Sequence, residues 1–266
     1  MHHVLRRLAL ALVTDPRGPE PAAAGNRAPT DLLHPRTREI WARRALFCVF
    51  AAGFTIPYLN MLNHVQVEGV GRLNSLPKRG VVFLSNHQTY FTEAIAFFDA
   101  VYRRRSVRWE DPFLRFAAAE ETMRKNLATS VLTTAGAVTF HRSFRHGGVD
   151  LRRSVDLEGI GRIEQAIRSG WLLHFPTGTT REGAQIRPGV SRLLHSTQAV
   201  AVPVRVDGFR EMLLHKQIPG RIHKRASIRI DEPMDLTSFY AAPFTPEAGA
   251  LVVDRIAERI GDPVPV

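Results

Sequence analysis

The chain has 266 residues, of which 44% are hydrophobic, and this is enough for one large domain with its own core. It is strongly basic, because 36 Lys and Arg stand against 25 Asp and Glu and give a formal charge of +11. This balance favours an acidic partner such as nucleic acid, anionic lipid or a phosphorylated substrate, although it also fits a solvated, arginine-rich surface. The only cysteine, Cys48, excludes an internal disulfide.

The first 64 residues differ in character from the rest. Residues 1–36, rich in Pro, Ala and Gly, predict a flexible tail. Residues 37–64 predict a membrane-associating helical region, and its apolar run Ala45–Leu62 is about as long as a bilayer span. A proline and two asparagines interrupt or polarise the end of that run. We therefore expect it to lie in one leaflet, with a buried core helix as the alternative.

Residues 65–266 predict the main domain, in which strand and helix patterns alternate. Such alternation is typical of a single α/β layered domain with a mostly buried mixed sheet flanked by helices, here preceded by apolar N-terminal helices. The predicted strands are Val65–Val67, Val81–Leu84, Phe116–Ala119, Ala137–Phe140, Trp171–Phe175, Val200–Val206 and Ala226–Ile230. The predicted helices are Thr92–Tyr102, Glu120–Thr133, Leu157–Ser169, Val190–Ser196 and Glu247–Ile260.

A histidine and a carboxylate follow the second predicted strand. His87 lies in the polar loop after Val81–Leu84, and Glu93 comes six residues later, where a helix begins. An imidazole can accept a proton from a hydroxyl when a carboxylate holds its other ring nitrogen. We expect Glu93 to reach His87 from the first helical turn. The alternative is a histidine that only satisfies the loop.

A second polar loop follows the strand Trp171–Phe175. Its glycine allows backbone N–H groups to approach a ligand, its threonines can donate hydrogen bonds, and its arginine can bind phosphate oxygens. The sequence predicts a phosphate-binding loop here, although such a turn is often only a turn. Arg187 and Gly189 come shortly after this loop, and a further cation, Arg142, follows the predicted strand Ala137–Phe140. The loop residues are Thr177, Gly178, Thr179, Thr180 and Arg181.

The sequence lacks the motifs of several other kinds of site. It contains no His-Glu-x-x-His motif and no Cys/His cluster, so no metal site is predicted. It contains no Gly-x-Ser-x-Gly elbow, which argues against a covalent acyl-enzyme. The arginine groups lack interleaved aromatic residues, so we expect no nucleic-acid partner.

Four blocks between about residues 65 and 235 resemble, in order, the lysophospholipid acyltransferases, the family that includes 1-acylglycerol-3-phosphate acyltransferase. The family usually has His-x4-Asp, whereas here the acid, Glu93, comes one position later, as in a divergent bacterial branch. In the third block, Thr177 replaces the family's glutamate. The blocks are Asn86-His87 with Glu93, Gly136 to Arg142, Phe175 to Thr180 followed by Arg187-Pro188-Gly189, and Val202-Pro203-Val204.

The resemblance implies direct acyl transfer from acyl-CoA or acyl-carrier protein, without a further cofactor, to a lysolipid hydroxyl. It implies His87 as the base, oriented by Glu93, with Arg142 and the loop arginines on phosphate and Pro203 lining the acyl site. It also implies a monotopic or peripheral protein on the cytoplasmic face of the cell membrane, in contact with anionic lipids. Because of Thr177, an acceptor such as lyso-ornithine lipid or a glycolipid is an alternative. A lipid-binding protein without catalysis is another.

Overall fold

The structure is a computed structural model, and its strands belong mainly to one sheet. The described residues form a seven-stranded sheet in the order β1-β11-β8-β2-β7-β3-β4, together with two short hairpins. The strands are β1 His64–Glu68, β2 Val81–Ser85, β3 Leu114–Ala119, β4 Ala137–Phe140, β5 Arg145–His146, β6 Val149–Asp150, β7 Trp171–His174, β8 Val200–Asp207, β9 Leu213–His215, β10 Ile218–Pro219 and β11 Arg225–Ile230. The structure describes residues 45–104, 113–123, 136–141, 145–146, 149–150, 156–215 and 218–261.

Helices cover both faces of this sheet, and the predicted fold class, an α/β layered domain with a mixed sheet, is confirmed. Only the β8–β11 pair is antiparallel within the seven-stranded sheet that the described residues form. The helices are α1 Ala45–Leu62, in which Ala51–Leu62 has the wider winding of a π-helix, α2 Thr92–Asp99, α3 Glu120–Met123, α4 Leu157–Ser169, α5 Gly189–Thr197, α6 Thr237–Ala241 and α7 Pro246–Ile260.

The core has two parts, one on each face of the sheet. Phe83 of β2 packs edge to face against Trp171 of β7 and against Phe97 of α2, with ring centroids 5.2 and 5.0 Å apart. On the opposite face, alternate strand residues such as Leu84 and Leu172 pack with α4, α5 and α7. The central strands are therefore buried on both faces, as their continuous apolar runs predict.

Several predicted elements differ from the structure at their ends. The predicted helix Thr92–Tyr102 is an α-helix only to Asp99, and a wider helical turn, Ala100–Arg104, continues it. The predicted strand Trp171–Phe175 ends at His174. The predicted helix Glu120–Thr133 is seen as Glu120–Met123, and its remainder lies outside the described residues.

The apolar helix α1 lies along the domain instead of inside it. Its buried residues recur every fourth position, at Ala51, Thr55 and Leu59, so that one narrow stripe faces the core. Only 17% of the helix is buried, which argues against the alternative of a core helix. By length and composition alone it could cross a membrane. The predicted tail, 1–36, lies outside the described residues, so the domain boundaries stay predictions.

Candidate active site

The candidate site lies where parallel strands β2 and β7 end side by side. Loops that follow neighbouring parallel strands meet at one edge of the sheet, and ligand sites gather there. The register pairs Leu84 of β2 with His174 of β7, so the two loops begin at the same level. His87 and Phe175, one from each loop, stack with ring centroids 4.1 Å apart and planes 22° apart. The strand pairing therefore brings the two polar loops of the sequence together.

His87 and Glu93 are in direct contact. The Nδ1 atom of His87 lies 2.7 Å from Oε1 of Glu93, and the side chains are 10% and 1% exposed. Because a carboxylate accepts but does not donate, this contact assigns the proton to Nδ1 and leaves the lone pair on Nε2. The extra residue in the spacing between His87 and its acid does not prevent the contact.

Neighbouring groups of the loop hold the carboxylate of Glu93 in place. The backbone N–H groups of Gln88 and Thr89 donate to it over 3.1 and 3.0 Å. The Thr89 hydroxyl donates to Oε2 of Glu93 and accepts from the N–H of Thr92 over 3.0 Å. Glu93 stands in the first turn of α2, where a negative charge is favoured. The carboxylate that orients His87 is thus itself fixed.

Asn86 attaches the loop to the next strand. Its side-chain N–H donates to the carbonyl of Val206, and its Oδ1 accepts from the Val206 N–H, each over 2.8 Å. The amide therefore extends the β2–β8 pairing by one step beyond the strand. Gln88 makes a second attachment, because its Oε1 accepts from the N–H of Phe209 over 3.0 Å.

The second loop folds into a turn beside Phe175. The N–H of Gly178 donates to the carbonyl of Phe175 over 3.0 Å, and the glycine has a positive φ of 64°. A Cβ at this position would stand 3.2 Å from Nε of Arg187, so the guanidinium lies against the glycine. The Thr177 hydroxyl donates to the carbonyl of Thr179 over 3.0 Å. Contacts thus run from His87 through Phe175 and Gly178 to Arg187.

Cations surround the outer part of this loop. Arg181 and Arg187 are exposed, whereas Arg210 donates to the carbonyl of Thr180 over 3.0 Å and lies 3.8 Å from Glu182. Exposed guanidinium groups beside a glycine turn can hold phosphate oxygens. Arg210 was not singled out in the sequence, because its proximity to the loop depends on the turn that follows β8.

The remaining predicted site residues are less central. Gly189 begins α5. Pro203 is buried in β8, where it pairs with Leu84 of β2, and Leu84 stands three residues before His87. Arg142 lies outside the described residues. Its neighbour His141 is described, and its Nε2 lies 3.0 Å from Oε2 of Glu120.

The sequence did not single out three side chains that build the site: Gln88, Thr89 and Phe175. Gln88 and Thr89 are 4% and 0% exposed, and their roles depend on partners across the fold. Their position between the histidine and the acid was the available signal. The sequence places Phe175 at the end of a predicted strand and the start of the third motif block, and gives no sign of its stacking on His87.

Comparison with solved structures finds a likeness in the fold. No protein-family profile matches the sequence, and neither does any curated protein. The crystal structure of a 1-acyl-sn-glycerophosphate (LPA) acyltransferase, PlsC, from Thermotoga maritima is similar at 17% identity and a TM-score of 0.49. The match covers 86% of this chain and 84% of the other. The case for an activity therefore depends on the chemistry of the site.

Asn86→Ala should destabilise the protein, because it leaves both buried backbone groups of Val206 without their partner. We expect the free energy of unfolding to fall by about 2–3 kcal/mol. Denaturant titration measures this loss, with Gln165→Ala, at an exposed position of α4, as the control. A loss no larger than that of the control would contradict the role of Asn86 as the attachment.

His174 should make stability depend on pH. Burial lowers the pKa of His174 to about 4 from its ordinary 6.5, and its Nδ1 has no hydrogen-bond partner within the described structure. The unfolded chain therefore binds the proton more readily, and stability falls as the pH drops from about 6.5 to about 4. The full loss is about 3 kcal/mol.

Unfolding measured from pH 7 to pH 4 should show a shallower decline for His174→Leu than for the unmodified protein. The comparison uses the slope with pH, so a uniform change in stability from the substitution does not affect it. Parallel slopes would contradict the assignment.

Proposed function

We propose that this protein is an O-acyltransferase that moves a fatty acyl chain from a thioester to a hydroxyl of a lysolipid. The observation that carries the proposal is the 2.7 Å contact between His87 Nδ1 and Glu93, which leaves Nε2 as the basic atom. The resemblance of the motif blocks to lysophospholipid acyltransferases supports the same activity.

The chemistry follows from that tautomer. Nε2 of His87 accepts the proton of the acceptor hydroxyl while the oxygen attacks the carbonyl carbon of the thioester. The tetrahedral intermediate collapses, the C–S bond breaks, and the thiolate takes the proton back from the imidazolium. Glu93 stabilises the positive charge that the ring carries between these two transfers. No acyl-enzyme forms in this scheme.

The loop 176–181 suits the anionic parts of the substrates. Arg181 and Arg187 bind phosphate, either on the acceptor or on the arm of acyl-CoA or acyl-carrier protein, and Arg142 is a third candidate. Backbone N–H groups near Gly178 stabilise the oxyanion, a contribution of about 3–4 kcal/mol where such donors are preorganised. The Arg187 guanidinium lies against Gly178, in the turn that follows Phe175, and Phe175 stacks on His87.

The acceptor in this proposal is a lysophospholipid of the 1-acylglycerol-3-phosphate type, reached from the cytoplasmic face of the membrane. The exposed outer side of α1 lies against the anionic leaflet, which the basic charge of the chain favours. The protein is therefore monotopic or peripheral in this proposal.

His87→Ala should reduce kcat by about 100- to 10,000-fold, because it removes the general base. Glu93→Gln should also reduce kcat, with a smaller effect on KM, because the ring loses the charge that stabilises it. The assay is mass spectrometry of acylated product from a labelled thioester and mixed lysolipids. Circular dichroism would verify the fold of each variant.

The exposed His64 provides a matched control, since His64→Ala removes an imidazole outside the site. Wild-type turnover in folded His87→Ala would remove this residue from the mechanism. Absence of thioester-dependent acylation by the unmodified protein, with lipid binding retained, would favour the lipid-binding alternative.

Thr177 favours a second acceptor class. A threonine offers the acceptor no carboxylate at this position, and its hydroxyl already donates within the loop to the carbonyl of Thr179. A lyso-ornithine lipid or a glycolipid is therefore the second candidate acceptor. A panel of lysolipids decides between them, and exclusive use of lysophosphatidic acid would exclude this alternative.

A further inference from the structure

Five large apolar side chains project into solvent from two segments that are distant in the sequence. Met61 and Leu62 end α1, and they are 76% and 45% exposed. Leu214, Ile218 and Ile222 belong to the β9–β10 hairpin and the chain that leaves it, and they are 61%, 61% and 44% exposed. We call these five residues the apolar ledge.

Hydrogen bonds join the two segments into one surface. The N–H of His223 donates to the carbonyl of Leu62 over 2.8 Å. The Tyr58 hydroxyl lies 2.8 and 2.9 Å from the carbonyls of Met212 and Arg221, and the N–H of Lys224 donates to Oδ1 of Asn63 over 2.8 Å. The end of α1 and the segment after the hairpin therefore lie side by side.

The charged side chains within the two segments of the ledge have one sign. Residues 213–225 contain four Lys or Arg and no Asp or Glu, and residues 45–62 contain no charged residue. Arg221 and Arg225 are exposed at the border of the ledge, and the nearest acid in the sequence is Glu211, two residues before the hairpin. Apolar side chains bordered by cations complement the interface of an anionic bilayer.

The ledge is also attached to the candidate active site. The hairpin follows a helical turn, Phe209–Met212, whose first N–H is bound by Gln88 of the histidine loop. Arg210 of the same turn donates to the carbonyl of Thr180 in the second loop. A surface that contacts the bilayer here would bring both loops close to the lipid headgroups.

We propose that the apolar ledge is a second membrane contact, which inserts into the interface of an anionic bilayer beside α1 and sets the orientation of the site. The inference rests on the proposed function in one respect, namely that the acceptor is a membrane lipid. The contact itself is a binding property that is measured without turnover.

The test is flotation of the full chain with phosphatidylcholine vesicles that contain or lack phosphatidylglycerol. Leu214→Ser with Ile218→Ser should weaken partition onto the anionic vesicles about tenfold, which corresponds to about 1.4 kcal/mol. The matched control is Leu157→Ser with Leu251→Ser, since these leucines are 74% and 66% exposed on helices of the opposite face. The control pair should bind vesicles like the unmodified protein, and neither pair should change the midpoint of thermal unfolding.

Equal partition of the ledge variant and the control would overturn the proposal, as would a ledge-dependent dimer in sedimentation velocity without a change in vesicle binding. His87→Ala separates this inference from the proposed function, because it should reduce kcat by about 100- to 10,000-fold while leaving partition unchanged. Ledge-dependent partition of a protein without acyltransferase activity would therefore support the docking surface and contradict only the proposed reaction.

Discussion

The site depends on how one buried carboxylate is held. Glu93 accepts hydrogen bonds from the backbone N–H groups of Gln88 and Thr89, from the Thr89 hydroxyl, and from His87. Removing a charge from water is costly unless its hydrogen bonds are replaced, and this loop replaces them within seven residues. The hydrogen bonds to the Glu93 carboxylate therefore determine the conformation of the loop. The same carboxylate orients the imidazole of His87. Glu93, six positions after His87, is long enough to reach the imidazole from the first turn of α2.

Parallel pairing of β2 with β7 and β8 places the histidine loop between the ends of two neighbouring strands. The histidine loop is bound on one side to Val206 at the end of β8, and it stacks on the other side against Phe175 after β7. Three strand ends thus converge on His87, although their residues are up to about 120 positions apart in the sequence. The sheet, through its register, determines which loops can share a substrate.

The sequence predicts regular elements well where their ends carry local signals. The helix Leu157–Ser169 has its predicted bounds, since Asp156 caps its first turn over 2.8 Å and Gly170 follows it. The hairpin β9–β10 was not predicted, because strands of three and two residues are too short for periodicity to detect. His87 and Glu93 could be selected as a pair from their residue types and spacing. Gln88 and Arg210 could not, since their partners are identified only by the tertiary fold.

The attachment of α1 has a consequence for sequence variation. Tyr58 and the backbone N–H of His223 reach main-chain carbonyls, those of Met212, Arg221 and Leu62, so the side chains at these acceptor positions take no part in the bond. Substitutions at the exposed residues Arg221 and Leu62 can therefore alter the outer surface without breaking these bonds, whereas the Met212 side chain is buried in the core. The outward-facing residues of this region can thus vary while the helix keeps its position on the sheet.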